Sequence, residues 1–136
     1  MTTTNKNGHL LLYSGSEWYR QLSLEEIQRV ISQNKAWVEK LAAEGKVKGG
    51  QGLVRQGAIV SAKGARPMSD GPFAESKEAI GGFLLLDVDS FEEAVAIAQT
   101  SPSIRYGTTI EVRPVAEECP LDTVARELAR EELVNA

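Results

Sequence analysis

A chain of 136 residues has the length of one domain and can bury roughly 70% of the surface its unfolded form exposes. Its 42% hydrophobic and 25% charged residues exclude a disordered chain, and a net charge of -4 with scattered Lys and Arg excludes the basic field that nucleic-acid binding needs. Cys119 is the single cysteine, so neither an intrachain disulfide nor a multi-thiolate metal site can form, and a reducing cytoplasm is the expected location.

Residues 1–8 are rich in Thr and Asn and have no apolar segment, so they read as a loose tail rather than a signal peptide or anchor. No apolar run approaches the ~20 residues of a membrane span, and no membrane partner is expected. His9-Leu10-Leu11-Leu12-Tyr13, closed by Ser14-Gly15-Ser16, reads as a buried strand ending in a turn. Ser23-Leu24-Glu25-Glu26 is a capping box. The apolar spacing of Leu24, Ile27, Val30, Ile31, Trp37, Val38 and Leu41 then predicts a helix from Leu24 to Glu44, with Gly45 as its left-handed cap.

Gly49-Gly50-Gln51-Gly52 breaks this pattern, and the next strand pieces are expected at Leu53-Val54-Arg55 and Ala58 to Ala62 around a Gln56-Gly57 turn or bulge. The glycine run is not a phosphate loop, because no Lys-Ser/Thr follows and no helix opens there; no cofactor is called for. Asp70 to Glu78 then crowds a turn and several ionisable side chains ahead of the apolar strand Gly82 to Val88. Ser90-Phe91-Glu92-Glu93 opens a second capped helix, with Phe91, Ala94, Val95 and Ala98 as its stripe and an end before Pro102. The last strand, Gly107 to Arg113, stops at Pro114. From Pro120, the spacing of Leu121, Val124, Ala125, Leu128 and Leu133 predicts an added helix on a surface or partner.

The core order β-α-β-β-α-β is an α+β, ferredoxin-like arrangement with both helices on one sheet face. It occupies 9–116, followed by a helical extension over 117–136. The third core strand carries Phe83 and Leu85 on one face and Leu84, Leu86 and Val88 on the other, so both faces demand burial. Two helices cover one face only; a second copy of the sheet is the simplest cover for the other. A homodimeric two-sheet barrel is expected, with a cavity between the sheet faces or at their rims.

Three spaced segments, Asp70-Gly71-Pro72-Phe73-Ala74-Glu75-Ser76-Lys77-Glu78, Gly81-Gly82-Phe83, and Tyr106-Gly107 with Glu111-Val112-Arg113-Pro114, resemble the DGPF branch of the YCII-related proteins. The resemblance covers about Leu10 to Val115. It implies a dimeric α+β barrel in a bacterial cytoplasmic protein of mostly unassigned role, with a link to alternative sigma factors through gene neighbourhood. In the sister YCII branch, a His on the first helix and an Asp before the Pro after the second helix are the implied acid–base pair. Anchored on Glu44-Gly45 and on Pro102, those places hold Asn34 and Ser101 here, which do not titrate near neutral pH but can orient a ligand.

Asp70, Glu75 and Lys77 are the candidate catalytic residues, a carboxylate as base and Lys77 as anchor for an anionic ligand. Asp before Gly-Pro is equally a turn residue, and Lys77 with its neighbouring Glu residues equally forms surface ion pairs. Asn34, Ser101, Tyr106 and Arg113 are the candidate ligand-binding residues, the last two also serving to hold the final strand to its neighbour. His9, the sole histidine, lacks a positioned partner, and Cys119 lacks a neighbour to activate it. Trp37 reads as core, and Trp18 and Tyr19 as loop residues able to close over a pocket. Two functions follow: a cofactor-independent small-molecule enzyme or ligand-binding protein, or a non-catalytic regulatory or sensor module that binds a ligand and a protein partner through its C-terminal helix.

Overall fold

The computed structural model describes residues 5–15, 18–54, 56–67 and 80–135. Ser16, Arg55 and the whole Asp70 to Glu78 segment, with the candidates Asp70, Glu75 and Lys77, lie outside the described residues. Four strands, β1 (His9–Ser14), β2 (Val47–Gly52), β5 (Ile80–Leu86) and β6 (Thr109–Pro114), form an antiparallel sheet in the order β2-β5-β1-β6. Between β2 and β5 in the chain, β3 (Ala58–Ser61) and β4 (Gly64–Pro67) pair as a separate hairpin. Helices α1 (Leu24–Ala43) and α2 (Phe91–Gln99) pack on one sheet face, and α3 (Pro120–Asn135) follows β6. The arrangement is α+β and compatible with a ferredoxin-like fold, with the two most apolar strands in the middle.

Local chemistry explains the element ends. The Ser23 hydroxyl accepts from the Glu26 N–H at 3.1 Å while the Glu26 carboxylate accepts from the Ser23 N–H at 3.1 Å, closing the expected capping box of α1. At the other end Gly45 takes φ 75°, which a β-carbon would oppose, so the helix stops with Glu44 as its cap. On α2 only half the box forms: Ser90 accepts from the Glu93 N–H at 3.2 Å, and its hydroxyl donates to Glu92 at 3.0 Å.

Two stretches differ from expectation. The Gly49-Gly50-Gln51-Gly52 run does not break the chain before a strand but is itself most of β2, while Leu53 and Val54 lie beyond the strand. Glycine has poor intrinsic strand propensity, yet pairing with β5 overrides it: Gly50 stands opposite Leu84 and Gly52 opposite Gly82. Near the N-terminus, Asn5 to Gly8 are tied to the domain. The Asn5 N–H donates to the Asp89 carbonyl at 2.8 Å and its side-chain amide donates to Val115, and the Val115 N–H donates back to Gly8 at 3.0 Å.

The core fills the helix-covered face. Leu11, Leu84 and Leu86 from the sheet meet Leu41 of α1 and Ala94, Ile97 and Ala98 of α2. His9 is fully buried at the edge of this layer, its Nδ1–H donating to the Val88 carbonyl at 3.0 Å and its Nε2 left without a hydrogen-bond partner. The opposite face carries the alternate residues Leu10, Leu12, Phe83 and Leu85, all half-buried, flanked by the Glu111–Arg113 ion pair at 2.8 Å. No described element packs across that face. Helix α3 likewise has no buried residue, and Leu121, Val124, Leu128, Leu133 and Val134 are exposed on it.

Candidate functional site

A cavity of about 620 Å³ opens between α1 and the sheet. It arises because β2 and the start of β5 present almost no side chains toward the helix. Gly50 and Gly52 stand beside Leu84 and Gly82 on that face, so the floor is bare backbone at Gly52 and Gly82, while the Leu84 side chain leans over Gly50. The opposing wall is α1, which contributes Val30, Ile31, Asn34, Lys35 and Val38. Ile31 is 47% exposed although it belongs to the apolar stripe, because the glycine floor gives it nothing to pack against. The cavity was expected between two sheet faces or at their rims; this one lies within a single chain, on the helix side.

One end of the cavity is polar. Tyr13, Ser103 and Thr108 line it there with Trp18. Burial pushes the Tyr13 phenol up to about 12, an effect the nearby Ser101 hydroxyl partly offsets, so Tyr13 is a neutral hydrogen-bond donor at physiological pH. Ser101 is 5% exposed, and its Oγ closes no hydrogen bond of ordinary geometry, with Tyr13 or any other described group. Thr108 Oγ1 is likewise buried without a partner. The segment carrying Ser101 is held under α1 by Trp37, whose indole N–H donates to Thr100 Oγ1 at 2.8 Å.

The candidates thus separate. Asn34 lines the main cavity; Ser101 sits behind Tyr13 and lines a smaller pocket with Gln33 and Arg105. Tyr106 is half-buried beside Trp18, ring centroids 6.2 Å apart, with the Arg105 guanidinium 4.9 Å from its ring centre. Trp18 belongs to a short 3-10 helix, Trp18–Gln21, that caps this end of the cavity. Arg113 lies on the opposite sheet face, opposite Leu10 and paired with Glu111, remote from the helix-side cavity. Among the described residues no carboxylate or imidazole lines the cavity, and no cluster of His, Cys, Asp or Glu could hold a metal ion.

Sequence reasoning missed Tyr13, Ser103, Thr108 and the glycine floor. The signal was present in the alternation of Gly50 and Gly52 and in the Gly81-Gly82 start of β5, but it becomes meaningful only once the register sets these glycines side by side.

Comparison with known proteins agrees with the motif pattern at the level of the family. The YCII-related domain family matches residues 12–118. An uncharacterised protein of Rhizobium meliloti is 33% identical over 111 residues, covering 79% of this chain and 90% of that protein.

Proposed function

The chain belongs to the YCII-related family, and on that footing we propose that it binds a small organic ligand in the cavity between α1 and the glycine-rich strands. The observation that supports this most is a roomy cavity whose lining combines apolar walls with the buried, unpartnered Thr108 hydroxyl and lacks any described carboxylate or imidazole. Such a lining suits recognition better than acid–base turnover, since Asn34 stands where the sister branch would place its His. If the ligand is turned over, the chemistry falls to Asp70, Glu75 and Lys77, which precede Gly81 in the sequence. Asn34 then positions the ligand directly, Tyr13 offers its phenol at the polar end, and Tyr106 supports the lining residue Trp18.

The test is a fragment-library screen by amide NMR, followed by turnover assays on any hit. Shifts concentrated on Asn34, Gly50, Gly52 and Thr108 are expected. Hits that cluster elsewhere, or none at millimolar concentration, overturn the reading. Loss of turnover in Asp70→Asn or Lys77→Ala with unchanged melting temperature separates enzyme from binder.

We further propose that the uncovered sheet face pairs with a second copy, since Leu10, Leu12, Phe83 and Leu85 form an apolar stripe along the two central strands with no described element across it. Arg113 belongs to this face and would meet the partner. Sedimentation showing a strict monomer at micromolar concentration sinks this assembly. A sensor role with a protein partner draws its support from α3, whose apolar residues stand in solvent; deletion of α3 that leaves both dimerisation and fold intact is its expected signature.

A further inference from the structure

The cavity's shape and charge narrow its ligand class, an inference that rests on the binding reading above. We propose that the ligand is a planar organic monoanion, an aromatic or conjugated ring bearing a carboxylate. Its ring lies flat on the glycine floor, and its carboxylate faces Lys35, Asn34 and Ser103.

The floor argues for planarity. A glycine within a strand interior marks either a backbone distortion or a place where another group approaches the backbone closely. At Gly52, the last residue of β2 and still paired with Gly82, the first explanation fails: a β-carbon there would meet nothing within 4 Å, and its φ is not positive. Neither local packing nor backbone conformation requires glycine at this position. The missing side chain instead leaves open the space in front of the strand. Across that space stand the branched side chains of Val30, Ile31 and Val38. A slot with peptide planes on one side and aliphatic groups on the other fits a flat ring better than a puckered one, because both faces of the ring gain contact at once.

The charge argues for an anion. Lys35 is the only ionised side chain among the described lining residues, and it has no ion-pair partner among them. Ser103 is 8% exposed, lines the cavity and makes no side-chain hydrogen bond; the Asn34 amide is also unpartnered. Thr108 Oγ1, also in the lining, is buried without a partner, and such a hydroxyl is costly unless a ligand completes it. These donors share one lining, and among its described residues no carboxylate competes for them, so a carboxylate is the complementary ligand group.

Four probes of similar size test this: 2-naphthoate, 2-naphthamide, 2-naphthylmethylammonium and decahydro-2-naphthoate. Each is titrated against the intact protein by amide NMR and calorimetry. Naphthoate should bind about tenfold more tightly than each of the others and should shift Gly50, Gly52 and Ser103. Gly52→Val should reduce naphthoate affinity at least about tenfold without lowering the melting temperature, with Gly52→Ala as a milder control. Lys35→Gln should weaken naphthoate and leave naphthamide unchanged. Equal binding of the ammonium or the amide overturns the anion; equal binding of the saturated acid overturns planarity. If none of the four perturbs the cavity while other fragments do, the ligand class falls and the binding site stands. If no fragment perturbs it, both fall.

Discussion

The two faces of the central sheet are built from the same strands, yet they have different fates. On the helix-covered face Leu11, Leu84 and Leu86 are sealed under α1 and α2, and the layer opens only where the glycines of β2 hollow it out. On the other face Leu10, Leu12, Phe83 and Leu85 are equally apolar but only half-buried. Because strand side chains alternate, each pair of neighbours in sequence samples both faces. The difference teaches that apolar content alone does not say where a site forms. On one face a missing side chain inside a packed layer makes a pocket; on the other a full row of side chains has no described element over it, and this is the row the proposed second copy would cover.

Neighbouring leucines of β5 separate the two faces most strongly. Leu86 has no exposure and Leu86→Ala should cost about 3–4 kcal/mol, independent of protein concentration. Leu85→Ala should cost about 1 kcal/mol in dilute solution, where its side chain is already half in water, and more as concentration rises if a second copy covers it. Urea melts of both variants over a hundredfold range of concentration measure this. Equal, concentration-independent losses would mean that the two faces are equivalent in solution.

The leucine-rich strands were legible because alternation on a doubly apolar strand needs both faces buried, and the capped helices were legible because Ser23 and Ser90 sit in front of apolar stripes. The glycine strand was not. Gly49 to Gly52 carries no periodic side-chain signal, and only its register with Leu84 and Gly82 makes it a strand. The polar end of the cavity was equally silent, because Tyr13, Ser103 and Thr108 come from three separate segments and converge only in the fold. Asn34, named through its match to a helix position of the sister branch, lines the cavity, whereas Arg113, named for its guanidinium on the last strand, lies on the far side of the sheet.

On β2 the pair Gly50 and Gly49 repeats the test in reverse, by adding an atom. A β-carbon on Gly50 would come within 2.7 Å of the Phe83 carbonyl oxygen and 2.8 Å of Leu84 Cδ1, so Gly50→Ala should cost about 2 kcal/mol as the edge strand shifts away. A denaturation midpoint equal to wild type would show that β2 sits farther from β5.

Tyr13 adds a pH dependence that only the helix-covered face should show. The phenol's ordinary value of 10.0 is raised to about 12 in the fold, chiefly by burial. Between those values the unfolded chain gives up the proton that the folded chain retains. Stability is therefore unaffected below pH 10, falls as pH rises toward 12 and levels off beyond it. The loss is on the order of 1 kcal/mol once the partial exposure of the ring is allowed for. Tyr13→Phe should flatten this limb in stability curves taken from pH 9 to 12, and an unchanged limb would place the phenol in water.

Gly49 carries the smallest expected effect and the most discriminating one. A β-carbon at this position would meet nothing within 4 Å, and although the Gly49 backbone lines the cavity, its pairing with Leu85 puts an added methyl on the outer face. Restricting the unfolded chain should then make Gly49→Ala more stable by about 0.5 kcal/mol in the monomer. The sign reverses if a second sheet approaches closely, because the added methyl would hold the two backbones apart while leaving each chain intact. Raised stability in dilute solution combined with weaker self-association by sedimentation would assign the bareness of this position to a partner. Raised stability with unchanged association would leave the docking surface to the leucine row alone, and the glycines of β2 would then matter only on the face where they shape the cavity.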